Sequence, residues 1–317
     1  MYLTLTLNPS IDYYIDLPQG KTLLTGTSDA PAVNRSICER FETGGKGINV
    51  AKILRRLDAK SGTVIAAGFC AGFTGQEIIR NIELEDIVAK FIEVPGNSRI
   101  NIKARDGKGI ETEINGSGPS VGPGDISRLI SVLSETDFDT LFLSGSLPGT
   151  VDPDTYAVIM RSVLDGKPDT RIIVDCEGEA LMRCLPLKPF LIKPNASELA
   201  ALTGMKLNTA SSLKDIRNAA SKLKDKGAQN VLVSLGGNGA FLFANNGEYY
   251  DVPGIKGDVV STIGAGDTMT ASFIYALDRD GDMKKALEFS NACAAMSAFT
   301  AGLPDSDSFG RIVKEFS

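Results

Sequence analysis

The spacing of hydrophobic and polar positions changes character twice along this chain. Residues 2–7 alternate and stop at Asn8-Pro9-Ser10, which predicts a strand ending in a turn, with Asp12 read as a turn aspartate. Residues 13–42, interrupted by Gly20, Gly26 and Pro31, carry no clear period and are expected to be irregular. After Gly44-Gly45-Lys46-Gly47, a stripe of Val50, Ile53, Leu54 and Leu57 predicts a helix. Residues 63–67 read as a buried strand and 75–82 as the start of a helix. The period then drops to two over 98–103 and 110–115, joined across Asp106-Gly107-Lys108-Gly109, which is the pattern of a hairpin with one polar face.

From residue 124 helices and strands alternate. Helices are expected over 125–133, 153–165, 179–184, 196–203 and 212–226, with strands over 140–143, 171–175, 190–192 and 230–235. Strands 240–243 and 249–252 follow, and helices 265–279 and 283–300 close the chain. This alternation implies an α/β fold: a doubly wound, mainly parallel sheet with helices on both faces, plus a small antiparallel β lid. Without a linker, repeat or low-complexity segment, one domain over 1–317 is expected, its lid formed by segments about 10–40 and 96–116. Ligands of such sheets bind beyond the carboxyl ends of the strands. The polar clusters at 8–12, 144–146, 175–179, 193–198 and 234–239 all fall there.

Composition narrows the chemistry. Apolar content of 43% and charged content of 23% fit a globular chain. A net charge of −6 and a pI near 5.0 argue against a general nucleic-acid or anionic-membrane binder. No apolar run approaches the ~20 residues of a membrane span. The first residues lack a basic region and meet Asn8 and Pro9 too soon for a signal peptide, so a cytoplasmic location is expected. Five dispersed cysteines without a C-x-x-C pair fit reduced thiols. Histidine is absent. That excludes Ser-His-Asp and Cys-His machinery and leaves proton transfer to Asp, Glu, Lys, Cys or Tyr.

The chemically richest stretch is 259–273, containing Ile263-Gly264-Ala265-Gly266-Asp267-Thr268. Gly264 and Gly266 allow a tight turn, and the helical spacing of Met269, Phe273, Ala276 and Leu277 puts them at a helix N-terminus. Unpaired N–H groups and the helix dipole favour an anion there. Asp267 is an odd choice for phosphate binding alone, but it suits a base acting on an attacking hydroxyl; the other reading is a helix cap. The Gly44–Gly47 stretch is not a Walker loop, because Gly47 stands where Ser or Thr is needed. It offers instead a close backbone approach, Lys46 and Asn49 at a helix start. Arg99 could fork onto a phosphate or simply be a solvated strand arginine.

Gly-Gly-Lys-Gly-x-Asn-Val-Ala, Lys-Pro-Asn-x-x-Glu, Val-Ser-Leu-Gly-x-x-Gly-Ala and Gly-Ala-Gly-Asp occur in this order. Together they resemble the PfkB (ribokinase-like) sugar kinase family over essentially the whole chain. Ser-Arg-Ile-Asn-Ile-Lys, Glu-Thr-Glu-Ile-Asn and Ser-Gly-Ser-Leu-Pro are similar to the branch acting on ketohexose phosphates. The resemblance implies ATP-dependent phosphorylation with Mg²⁺, most closely of fructose 1-phosphate to fructose 1,6-bisphosphate; tagatose 6-phosphate and fructose 6-phosphate are the alternative acceptors. It implies Asp267 as general base and Gly264, Ala265 and Gly266 as the anion hole. Asp12, Gly45 and Asn49 would hold sugar hydroxyls with Ser144 nearby, and Arg99, Lys46 and Arg35 the substrate's phosphate. Lys193, Asn195 and Glu198 would face nucleotide phosphates and the metal, Glu198 through water. Ser234, Gly236 and Gly239 would border the nucleotide, with Asn291 near the base. A homodimer through the lid is also implied. Segment 18–34 is longer and less regular than that pattern. Two other classes fit less well. A non-catalytic sugar-phosphate sensor would have no need of Asp267, and a nicotinamide dehydrogenase would need a G-x-G-x-x-G after the first strand, which is missing.

Overall fold

The computed structural model describes residues 1–24, 26, 32–57 and 63–316. Its first half contains β1 (Tyr2–Thr6), β2 (Ser10–Asp16), β3 (Cys38–Gly44), α1 (Lys46–Leu57), β4 (Val64–Cys70), α2 (Gly72–Glu83), β5 (Val88–Glu93), β6 (Arg99–Arg105), β7 (Glu111–Asn115) and α3 (Pro123–Ser134). Then come β8 (Thr140–Ser144), α4 (Thr155–Gly166), β9 (Arg171–Asp175), α5 (Gly178–Cys184), β10 (Leu191–Ile192), α6 (Ala196–Thr203) and α7 (Leu213–Asp225). Strands β11 (Asn230–Ser234), β12 (Ala240–Phe243) and β13 (Tyr249–Val252) lead to α8 (Ala265–Asp280), α9 (Met283–Ala298) and α10 (Ser306–Glu315).

The strands of the central sheet are apolar at consecutive positions because both faces are covered. Leu141, Leu143, Ile172, Val174, Val231 and Val233 pack under α3–α7. Their neighbours Phe142, Ile173 and Leu232 point the other way, into the core of α1, α2 and α8–α10. The strand order is β13-β12-β11-β10-β9-β8-β1-β4-β5. It is parallel from β11 to β5, and β12 and β13 add antiparallel pairings at one edge. A second sheet, ordered β3-β2-β6-β7, has antiparallel outer pairs and a parallel seam between β2 and β6. The expected architecture of a doubly wound sheet plus a small sheet is therefore present. In the β6–β7 turn the Asp106 carboxylate accepts from the Lys108 and Ile110 amides at 2.8 and 2.9 Å, a side-chain turn of the kind aspartate favours.

Four expectations need correction. Residues 13–42 are not irregular throughout: β2 and β3 form a seven-residue antiparallel pair. In β3 polar residues fall on both faces, which hides the strand period, whereas β2 does alternate, with Ile11, Tyr13 and Ile15 opposite Ser10, Asp12 and Asp16. Asp12 lies within β2 rather than in a turn. Strand β5 was not anticipated, since as an edge strand only Ile92 in it is buried. Helix α10 was missed because Phe309 is its one buried large apolar residue; an Asp305 cap bonded to the Ser308 amide at 2.8 Å starts it. Part of the 18–34 segment, residues 25 and 27–31, including Pro31, lies outside the described residues.

Candidate active site

The carboxyl ends of β9, β10 and β11, the N-termini of α1, α6 and α8, and the polar face of the small sheet enclose a cleft of about 890 Å³. Of the residues singled out from the sequence, Asp12, Gly45, Lys46, Asn49, Arg99, Lys193, Asn195 and Glu198 line it. So do Ser234, Gly236, Gly239, Gly264, Ala265, Gly266, Asp267 and Asn291.

Gly264 precedes α8 with φ +78°, a left-handed conformation suited to glycine, and no side chain caps the helix. Its first amides therefore lack intrahelical partners, although Ala265 N–H makes a 3.3 Å turn bond to Thr262 O. Asp267, in the first turn, is not the cap. Its buried carboxylate accepts a 2.7 Å hydrogen bond from Asn49 Nδ2 on α1. Burial, and then the neighbouring charge of Asp175, push the Asp267 carboxyl up to about 6, against the Asn49 bond, Lys46 and Lys193, which pull it down. A base must be ionised, so activity limited by Asp267 should fall as pH drops through about 6. A kcat–pH profile checks this; a flat profile from pH 5 to 7 would exclude Asp267 as the titrating base.

Asp175 was not singled out from the sequence beyond the 175–179 cluster. It ends β9, fully enclosed, and divides its oxygens between two lysines. Lys46 Nζ lies 3.4 Å from Oδ1 and Lys193 Nζ 3.4 Å from Oδ2, and Thr270 Oγ1 donates at 3.1 Å. Burial alone would raise the Asp175 carboxyl, but Lys193 and Lys46 hold it below the usual range. Lys46, which burial would lower, is raised by Asp175 and Asp267. One signal for this residue was available: a charged residue closing the apolar run Ile172-Ile173-Val174 at a carboxyl strand end.

Across the cleft, Asp12 Oδ1 accepts from Ser10 Oγ at 2.7 Å and Asn101 Nδ2 at 2.8 Å, and Oδ2 pairs with Lys103 Nζ at 3.0 Å. Gly44 sits so close that a Cβ there would lie 2.7 Å from Asp12 Oδ1. Asn101 and Lys103 were missed, although they share the polar face of β6 with Arg99. Arg99 Nε donates to Asn8 O at 3.1 Å.

On the opposite wall, a Cβ at Gly266 would lie 3.2 Å from Lys193 Nζ, so this ammonium stands over the first turn of α8. Asn195 and Glu198 form a reciprocal capping box, each side chain bonded to the other's amide at 2.8 Å. Asn291 Nδ2 donates to Pro253 O at 3.0 Å. Among the described residues no cluster of three or more metal-ligating side chains occurs.

Two expected residues are not brought in. Ser144 is fully buried at the last position of β8 and its hydroxyl has no partner, which puts it within the sheet layer rather than in the cleft wall. Arg35 is exposed and lies beyond Cys38. The cleft end of the β2–β3 pair is Gly44, six residues from Cys38, or about 20 Å at strand spacing. Four of the five cysteines are buried and all are free, and no helix among the described residues is long and apolar enough to cross a membrane.

Comparison with known proteins gives a consistent picture. The family described as "pfkB family carbohydrate kinase" matches residues 6–307. The chain is 35% identical over 305 residues to a 1-phosphofructokinase of Bacillus subtilis, covering 96% of this chain and 94% of that protein. It is 34% identical over 306 residues to a D-tagatose-1-phosphate kinase of Bacillus licheniformis, covering 96% and 95%. Escherichia coli phosphofructokinase-2 in complex with fructose 6-phosphate superposes with a TM-score of 0.84 at 26% identity, over 99% of this chain and 98% of that one.

Proposed function

Because the chain belongs to the pfkB family of carbohydrate kinases, we propose that its cleft transfers the terminal phosphoryl group of ATP to fructose 1-phosphate, giving fructose 1,6-bisphosphate. The chain is a sugar-phosphate kinase and ATP is its co-substrate. The observation that carries the reading is Asp267 held by Asn49 in the first turn of a helix that no side chain caps. The sugar hydroxyl gives its proton to Asp267, its oxygen bonds to the transferred phosphorus, and the bond to the ADP oxygen breaks. Charge spread over the transferring group meets the amides at Gly264–Gly266 and the ammonium of Lys193. Positioning and electrostatic stabilisation of this kind make up most of phosphoryl-transfer catalysis. Lys46, which Asp175 and Asp267 keep charged, lines the same cleft.

Asp12 and Asn49 hold sugar hydroxyls, and Arg99 with Lys46 neutralises the acceptor's phosphate. Asn195, Ser234, Gly236, Gly239 and Asn291 border the nucleotide. Mg²⁺ retains several waters and needs one or two carboxylates with substrate phosphates. Glu198 on the cleft wall, one oxygen committed to its cap, fits that demand. The ion, when bound, neutralises nucleotide phosphate charge.

The test is an ADP-release assay with MgATP over fructose 1-phosphate, tagatose 1-phosphate, tagatose 6-phosphate, fructose 6-phosphate and fructose. Fructose 1-phosphate is expected to lead in kcat/KM by about tenfold or more, roughly 1.4 kcal/mol. The tagatose-1-phosphate relative favours tagatose 1-phosphate as the second reading; its lead in the assay would replace the first. Turnover with none would favour a sensor.

We further propose a homodimer through the small sheet acting as a lid. Its outer face leaves Phe41 66%, Ile114 63% and Ile100 40% exposed, an apolar patch of the kind that marks an interface. Phe41→Asp is expected to convert a dimer into a monomer in sedimentation velocity; a monomeric wild type would overturn the assignment.

A further inference from the structure

On helix α1, Asn49 and Arg56 share a face, because residues seven apart on a helix lie one above the other. At its start Asn49 holds Asp267 at 2.7 Å. Two turns on, Arg56 reaches the segment joining α9 to α10. Its Nη1 donates to Leu303 O at 3.2 Å and Pro304 O at 2.9 Å. Its Nε and Nη2 meet Glu85 Oε2 at 3.0 and 2.9 Å, and Lys52 Nζ lies 3.4 Å from the other Glu85 oxygen. Each of the three nitrogens of this guanidinium therefore meets either a carboxylate oxygen or two consecutive carbonyls.

The Leu303 side chain packs directly on the residue before α8: a Cβ at Gly264 would lie 2.5 Å from Leu303 Cδ2. No side chain caps that helix; the Gly264 carbonyl is held from the helix side by the Thr268 amide and hydroxyl, both at 2.8 Å, and its α-carbon is backed by Leu303. The preceding segment is tied to the same region, with the Val260 and Ser261 amides bonded to Ala298 O at 2.9 and 3.2 Å.

We propose that Arg56 is a positioning residue for phosphoryl transfer: by clamping Leu303–Pro304 against α1, it seats Leu303 behind Gly264 and holds the amides of the anion hole in place. Lysine offers no planar fork for two carbonyls and a carboxylate together, so Arg56→Lys weakens the clamp while keeping the charge. The inference rests on reading Gly264–Asp267 as the anion hole.

The experiment combines steady-state kinetics with hydrogen exchange. In Arg56→Ala, kcat is expected to fall about 10- to 100-fold, the size of effect a small misplacement at a reacting centre produces, while KM for the sugar phosphate changes little. Leu303→Ala is expected to give a similar loss, and the double variant no further loss. Amide exchange over 257–267 should quicken in Arg56→Ala and Arg56→Lys with ATP absent. Arg56→Lys serves for all readouts if the alanine variant does not fold. Unchanged exchange, or kcat losses that multiply in the double variant, overturns the clamp. A wild type without turnover but with the exchange difference intact would instead sink the kinase reading and leave the clamp standing.

Discussion

Asp267→Asn is expected to lower kcat by about 10²–10⁴-fold, the usual contribution of a positioned general base, while sugar-phosphate binding measured by calorimetry stays close to wild type. The amide keeps the size of the carboxylate but cannot take the hydroxyl proton. Its effect on stability should run the other way. The Asp267 carboxyl rises from 3.8 to about 6 on folding, so protonation favours the native state. That contribution is complete below pH 3.8 and is lost as pH rises through about 6. At pH 7 to 8 the ionised, buried Asp267 is a cost to folding, and the neutral asparagine should leave Tm unchanged or raise it. A variant with wild-type kcat would remove Asp267 from the chemistry.

Asp175→Ala should produce the largest loss of stability at the site. Asp175 is 3% and Lys193 6% exposed, so the substitution leaves a buried ammonium without its counter-charge. Breaking a buried pair from one side costs about 3–5 kcal/mol, measurable by urea unfolding. A second readout separates an electrostatic role from a packing role. Asp175 helps to raise the Asp267 carboxyl, whereas Lys46 and Lys193 lower it. Removing Asp175 should therefore shift the acid limb of the kcat–pH profile below about 6. Wild-type stability together with an unmoved acid limb would show that the two lysines do not depend on this carboxylate.

Much of this protein could be read from local pattern. Strand 171–175 and helix 196–203 were legible to the residue, because apolar runs and a capping box are signals carried by neighbours in sequence. The glycines at 264 and 266 announced a helix start, and the absence of histidine directed attention to Asp267. The small sheet was half legible. The β6–β7 hairpin has a two-residue period and a turn, whereas β3 carries charges on both faces, and β2 pairs with β6 across the 82 residues between them. That pairing sets Asn101 and Lys103 against Asp12.

By itself, then, the sequence determined the α/β class, the order of most elements, and which glycine-rich stretches meet the ligand, since each depends on interactions within about a dozen residues. Only the tertiary structure decided that Asn49 rather than a helix amide holds Asp267, that Asp175 balances Lys46 and Lys193, and that Ser144 is sealed beneath the cleft while Arg35 lies beyond it. Charge, burial and hydrogen-bond partner are properties of neighbours in space. Asn49 and Asp267 are 218 residues apart, and no pattern along the chain records that they touch.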